Sequence, residues 1–302
     1  MTEKASYPRW LPFVVLGCGL LTISFGAVLA RVAQANALPS LVIATLRLGL
    51  AALVITPFAL WQSRAALLAL TRRQLFLALG AGFFIALHFG TWISSLEYTS
   101  VASSTALVTT NLLWIGLASF VLFGDKPGKV MSCGIVISLA GSLLIFWSDS
   151  RTSAPGSNPL LGNFLALVGS WCFSAYLLIG RKVRADMPLS AYIWLAYGSG
   201  ALFLLAGCAG AGLSLTGYTT PAYLAAVGMA LGPQLLGHSA YNWSLKHVSP
   251  TFIAVVTLGE PVGSAVMAWL FFGETFAPLQ ATGFVMLLAG IYLAAIGEGR
   301  RS

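Results

Sequence analysis

Charge is what this sequence has least of. Sixteen Lys and Arg and eight Asp and Glu serve 302 residues, or 8%, where a water-soluble domain carries roughly 25%. With 58% hydrophobic residues and a mean hydropathy of +0.88, the chain cannot cover a water-facing surface, which excludes a soluble globular protein. Cysteine is scarce as well. Cys18, Cys133, Cys172 and Cys208 all fall inside apolar runs and form no CxxC pair, so they read as small buried hydrophobes rather than disulfides, metal ligands or redox centres. The GxxxxGK[ST] loop that cradles nucleotide phosphates is missing, which speaks against ATP-driven work by this chain alone. Neither Asp, His and Cys at metal-ligand spacing nor a nucleophile beside a base occurs. A membrane enzyme is therefore the distant alternative, and no metal or cofactor is expected. Repeated rings of charge or carbonyl-rich loops, which a passive channel needs, are not seen either. The net charge of +8 could suit nucleic acid, but the basic residues are scattered in short loop clusters, so no nucleic-acid partner is expected.

What the chain has in quantity is long apolar runs. A bilayer-spanning helix needs about 20 mostly apolar residues, and such runs lie near 11–32, 38–61, 73–96, 100–122, 128–147, 159–180, 188–212, 220–244, 248–272 and 276–297. The first follows Lys4 and Arg9 and precedes Ala35-Asn36-Ala37, which imitates a signal-peptide cleavage site. It is too long for a signal core, and the internal repeat requires it as a retained helix. With the N-terminus in the cytoplasm, the inner segments hold Lys4, Arg9, Arg64, Arg72, Arg73, Lys126, Lys129, Arg181, Lys182, Arg184, Lys246, Arg300 and Arg301. The outer loops hold only Arg31 and Arg151. The positive-inside rule then places both termini in the cytoplasm.

The chain also repeats itself. Leu96, Ser100, Gly124, Gly134 and Gly141 reappear 149 residues later as Leu245, Ser249, Gly273, Gly283 and Gly290. Phe-Gly-Asp at 123–125 becomes Phe-Gly-Glu at 272–274. Earlier in each copy Ser24 pairs with Ser174 and Arg31 with Arg181, while Pro39 and Pro188 match with a one-residue slip. Each copy holds five runs, divided by the polar stretch Ser148 to Pro159, giving halves of 1–150 and 151–302. An odd number of spans makes the second copy enter from the opposite side. The expected fold is an all-α polytopic membrane protein of ten transmembrane helices in two inverted five-helix repeats. Such repeats commonly build secondary transporters with a site near the midplane.

Polar groups inside the bilayer are costly unless satisfied, so they mark candidate sites. Glu260 lies midway along the ninth run, beside the helix-breaking Pro261, where the first copy has Asn111 and Leu112. It reads as a cavity carboxylate for an amino group or a proton, or as an internally paired charge. Arg47 is the only basic residue within a span and Glu260 the only acid well inside one, so they are candidates for a structural pair; alternatively Arg47 binds a substrate carboxylate. In the eighth run Gln234, His238 and Asn242 fall at i, i+4 and i+8 behind Pro233, a second expected helix break, and read as a cavity stripe or as interhelical hydrogen bonds. His88 and Trp92 form an i, i+4 pair in the third run, with Tyr241 at the repeat position of Trp92. Either histidine titrates near neutral pH when unperturbed, which suits proton coupling, or bonds across helices in its neutral form. Trp114, Trp171 and Tyr176 lie deep in their spans and are candidates for stacking a substrate, or plain packing residues.

The layout, with Glu260-Pro261-Val262, Phe272-Gly273-Glu274, Gly283, Ala289-Gly290, their echoes Gly124-Asp125 and Gly141, and Arg47 in Leu46-Arg47-Leu48, resembles the drug/metabolite transporter superfamily in its EamA-type branch. Within the branch the chain is most similar to exporters of aromatic amino acids. The resemblance implies a secondary transporter in a bacterial-type inner membrane that exports aromatic and other neutral amino acids and works as a monomer. Export of drugs or other small metabolites is the alternative. The small multidrug relatives use an acid in their first helix, which this chain lacks.

Overall fold

Inside a bilayer the backbone must satisfy its own hydrogen bonds, so long apolar runs fold as helices. The computed structural model of the chain describes residues 8, 10–99, 101–124, 126–150, 158–272 and 278–299. Ser100, Asp125, Gly273 and Glu274 of the repeated motifs lie outside these residues, as do Lys4, Arg9, Arg151, Arg300 and Arg301 of the charge pattern. The helices in order are α1 (Leu11–Ala35), α2 (Ser40–Gln62), a short α3 (Arg64–Leu68), α4 (Arg72–Tyr98), α5 (Val101–Val108), α6 (Asn111–Phe123) and α7 (Lys129–Ser150). They continue with α8 (Pro159–Arg184), α9 (Leu189–Gly210), α10 (Thr220–Met229), a π-helical stretch (Ala230–His238), α11 (Ser239–Ser244), α12 (Pro250–Thr257), α13 (Glu260–Phe272) and α14 (Pro278–Gly299). Among the described residues there is no strand. Local sequence sets many of the boundaries. Thr71 and Gln74 form a reciprocal capping box at the start of α4. Asn158, Thr219 and Ser249 cap α8, α10 and α12, each with a proline in the first turn behind it.

Six segments are long and apolar enough to cross a membrane: Leu11–Ala35, Ser40–Gln62, Arg72–Tyr98, Leu160–Arg184, Leu189–Gly210 and Pro250–Phe271. Asn111–Leu122, Lys129–Gly141 and Ala281–Ala294 are shorter apolar helices. The chain is thus an all-helical, polytopic membrane protein.

Two of the apolar runs are broken at a turn. Between α5 and α6 the chain turns at Thr109 and Thr110, and between α12 and α13 at Leu258 and Gly259. These positions are repeat counterparts, 149 residues apart. Pro261 follows the second break as an early residue of α13, but Leu112 stands there in the first copy, so proline is not the common cause. Both breaks tighten into i−3 bonds instead, from Thr110 to Leu107 (3.2 Å) and from Leu258 to Val255 (3.1 Å). The neighbouring threonines draw local carbonyls to their hydroxyls, Thr110 from Leu107 (2.6 Å) and Thr257 from Ala254 (2.7 Å). Around Pro233, which has no amide hydrogen to donate, the helix widens into the π-helical stretch.

α7 and α14 pack along a glycine seam. A Cβ on Gly134 would lie 2.6 Å from the Gly290 carbonyl, and one on Gly141 2.7 Å from the Gly283 carbonyl, so no side chain fits at either crossing. The order of these contacts makes the two helices antiparallel. Each contact is the repeat counterpart of the other, and Ser138 meets Leu287, its own counterpart, at 3.5 Å. The remaining helices form two groups and a frame. α4, α5, α6 and α8 pack together; α1 packs with α10, the π-helical stretch, α11, α12 and α13; α2 lies on α9. Gly169 of α8 faces His88, Thr91 and Trp92, while Gly19 of α1 faces Gly237, Ala240 and Tyr241, the equivalent positions.

Candidate functional site

The two groups of helices meet around a small, partly open cavity with about 20 Å³ of room for the centre of a water-sized sphere. Its wall is made by Ile23, Arg47, His88, Phe89, Trp92, Val108, Thr109, Asn111, Phe173, His238, Tyr241, Thr257 and Glu260. The helix breaks explain part of this wall, because they place Asn111 and Glu260 at the first positions of α6 and α13. A carboxylate there is favoured by the positive end of the helix dipole, by ~0.3–2 kcal/mol. The wall is also nearly two-fold. Ile23 and Phe173, Phe89 and His238, Trp92 and Tyr241, Val108 and Thr257, and Asn111 and Glu260 occupy counterpart positions of the two copies.

Arg47 reaches the cavity from α2 while 99% of its surface is buried. Its Nε donates to Gln234 Oε1 at 2.8 Å, and its guanidinium lies 3.8 Å from the ring centre of Phe89. A desolvated cation over an aromatic face gains ~2 kcal/mol. Nη2 has no protein partner. Among the described residues no hydrogen bond or ion pair joins Arg47 to Glu260; the two charges share the cavity without the direct pair expected between them. His88 donates from Nδ1 to the Gly169 carbonyl at 3.0 Å, which in the neutral form of the ring leaves Nε2 as an acceptor. Its ring centre lies 6.3 Å from that of His238. Trp92 Nε1, Tyr241 Oη, His238 Nδ1 and Gln234 Nε2 are also buried without a protein partner. A lone group of this kind costs roughly 1–3 kcal/mol. Four of them, on Arg47, Trp92, His238 and Tyr241, belong to residues of the cavity wall and prepare it for a polar guest.

The candidate residues from the sequence divide sharply. His88, Trp92, Asn111, His238, Tyr241 and Glu260 reach the cavity, with Arg47. Gln234 stands behind Arg47 and holds it. Asn242 and Tyr176 belong to a separate buried cluster, where the Asn242 amide donates to the hydroxyls of Tyr176 and Tyr197 and, at 2.9 Å, to the His238 carbonyl. The widened π turn shifts the phase between His238 and the residues before it, so the i, i+4, i+8 stripe does not stay on one face. Trp114 and Trp171 do not reach the cavity at all. They pack edge to face at 5.8 Å and are 40% and 45% exposed on the outer, apolar surface of the bundle. Ile23, Phe89, Val108, Thr109, Phe173 and Thr257 were not candidates. For Ile23, Phe89, Val108, Phe173 and Thr257 the signal was in the repeat: projected onto the other copy, each finds or becomes a counterpart in the wall. Outside the spans, burial and then Arg184 lower the pKa of Lys246, and burial, Arg184 and Lys246 lower that of His247.

Broken helices meeting at a buried polar cavity are the build of a membrane transporter. The EamA-like transporter family is matched twice, by residues 10–147 and again by residues 160–296. The chain belongs to this family, within the drug/metabolite transporter superfamily. A probable amino-acid metabolite efflux pump of Salmonella typhimurium is 22% identical over 98% of this chain and 96% of its own length. An uncharacterized transporter of Clostridium kluyveri is 24% identical over 79% of this chain and 78% of its own. A solved crystal structure of 16% sequence identity superposes with a TM-score of 0.78 over 98% of this chain and 100% of that one, which shows the fold.

Proposed function

We propose that this transporter exports neutral and aromatic amino acids from the cytoplasm by alternating access through the central cavity. The observation that carries the reading is the wall itself. Arg47 supplies a buried guanidinium with one free donor for a carboxylate, Glu260 supplies an acceptor for an ammonium group, and Phe89, Trp92 and Phe173 supply aromatic faces for an apolar side chain. A zwitterion with an aromatic or aliphatic side chain satisfies all three. The similarity to a probable amino-acid metabolite efflux pump supports the same substrate class.

In this reading the chain crosses a bacterial-type inner membrane ten times. α5–α6, α10–α11 and α12–α13 each count as one interrupted span, and the basic loops put both termini in the cytoplasm. The antiparallel seam of α7 on α14, between counterpart residues, supports halves inverted about an axis in the membrane plane. The cavity wall described above comes from a single chain, which supports action as a monomer. Counterflow of labelled amino acids in proteoliposomes, with and without a pH gradient, tests the proposal. Movement of phenylalanine and other neutral amino acids is expected; none moving at all sinks the substrate reading. Rates indifferent to the gradient remove a proton role for Glu260, His88 and His238.

A further inference from the structure

Two hydrogen bonds at opposite ends of the bundle are counterparts of each other. At one end Gln34, in the last turn of α1, donates from Nε2 to the Ile93 carbonyl of α4 at 2.9 Å. At the other end Arg184, the last residue of α8, donates from Nε to the Asn242 carbonyl of α11 at 3.1 Å. Gln34 and Arg184 are 150 residues apart, as Arg31 and Arg181 are; Ile93 and Asn242 are 149 apart, the offset of the second part of the repeat. Each bond joins the α4–α5–α6–α8 group to the α1–α10–α11–α12–α13 group. Within the groups α4 packs extensively on α8, and α1 on α10, α13 and the π-helical stretch; between them α1 touches α4 and α8 touches α11 far less, and the broken spans meet where α6 packs on α12.

Each bond also has helpers. At the first end Arg31 donates to the Thr99 carbonyl at 3.2 Å, and Gln34 also reaches Ser40 Oγ at 2.9 Å, which in turn donates to Glu97. At the second end Arg184 also donates to the Met187 carbonyl, and Asn242 ties Tyr176 of α8 to Tyr197 of α9 through its amide. The ends differ in one respect. Arg184 is 3% exposed, whereas Gln34 is half-buried and uncharged. A buried charge-assisted bond is the stronger of the two.

We infer that Gln34–Ile93 and Arg184–Asn242 are a matched pair of latches, one at each membrane face, whose balance sets the side to which the cavity opens. The inference rests on the alternating-access reading and adds to it the residues that hold each gate. Under the positive-inside orientation the Gln34 latch is extracytoplasmic and the Arg184 latch cytoplasmic. Breaking one latch favours the conformation that opens at its own end, because the other is left intact.

The test places one cysteine in the cavity wall, Val108→Cys, in a chain whose Cys18, Cys133, Cys172 and Cys208 are serine. A membrane-impermeant maleimide is then applied to right-side-out and to inside-out vesicles. Arg184→Ala is expected to raise labelling from the cytoplasmic side roughly tenfold and to lower it from the outside. Gln34→Ala is expected to do the reverse by roughly threefold, since its bond is neutral and half-buried. Arg184→Gln, able to donate to Asn242 as Gln34 does to Ile93, is expected to return labelling most of the way to the parent ratio. Variants that are monodisperse in detergent yet shift labelling in the same direction, or not at all, overturn the inference. Should Arg184→Ala not accumulate, Gln34→Ala decides alone, and an unchanged ratio overturns it equally. The labelling needs no substrate, so a sidedness shift together with absent amino-acid counterflow removes the substrate reading and leaves the latches standing.

Discussion

On the side of the cavity drawn from the first copy stand Phe89, Trp92, Val108 and Asn111. At the counterpart positions of the second copy stand His238, Tyr241, Thr257 and Glu260. The backbones deliver these side chains to the same places, and in each pair the second copy carries the more polar group. The pair contributed by the first helix of each copy, Ile23 and Phe173, stays apolar on both sides. Arg47, His88 and Thr109 are polar wall residues that the first copy contributes without a polar counterpart in the wall, and Arg47 is braced by Gln234 of the second, where the first copy has Ile85. Duplication thus kept the framework that positions a ligand, and at four of the five paired positions the second copy is the more polar. A zwitterion carrying an apolar side chain has the same asymmetry.

The contrast can be broken most directly at its most polar pair. Glu260→Gln removes a buried charge while keeping its shape, and is expected to slow amino-acid counterflow about 100-fold, equivalent to ~2.7 kcal/mol. Asn111→Ala, its counterpart, is expected to cost less than about tenfold in the same assay, one neutral hydrogen bond. Equal losses would show that the two walls are functionally alike. Arg47→Lys keeps the charge but loses the planar contact with Phe89 and the Nε bond to Gln234. It should raise the half-saturating amino-acid concentration by roughly 10- to 30-fold, read from concentration-dependent counterflow. At the apolar pair, Phe173→Ala should lower phenylalanine transport relative to alanine by about fivefold, since an aromatic pair is worth ~0.5–1.5 kcal/mol. The smallest effect belongs to Trp171→Leu. It sits on the outer surface, and less than about a twofold change in counterflow is expected for a surface substitution.

The membrane class, the helical fold and the duplication are all legible without coordinates, because each rests on a property that is local or linear. Scarce charge and long apolar runs leave helices as the economical way to satisfy a backbone in lipid, and a constant offset survives as a pattern of letters. The helix break before Asn111 was not legible. The run 100–122 contains no proline or glycine before Gly116, and its threonines compete for local carbonyls in a way that hydropathy does not register.

Facing was the other hidden quantity. Trp114 and Trp171 are as deep and as aromatic as Trp92, and in a helix apolar all round nothing in the sequence separates the side toward lipid from the side toward the cavity. Gln234 was lost from the cavity wall for a related reason, since the π-helical stretch between it and His238 departs from the 3.6-residue period.

By itself the sequence determined that this protein lives in a membrane as helices, that it was written twice, and that Arg47 and Glu260 are its costly interior charges. These are consequences of composition, periodicity and the expense of burying charge in lipid. Only the tertiary structure decided that the two charges share a cavity without touching, that Gln234 holds one of them, and that Gln34 and Arg184 tie opposite ends of the same two groups of helices. Each of these depends on which faces of distant helices meet, and that choice is made by packing of glycine seams and broken helices rather than by any residue's own preference.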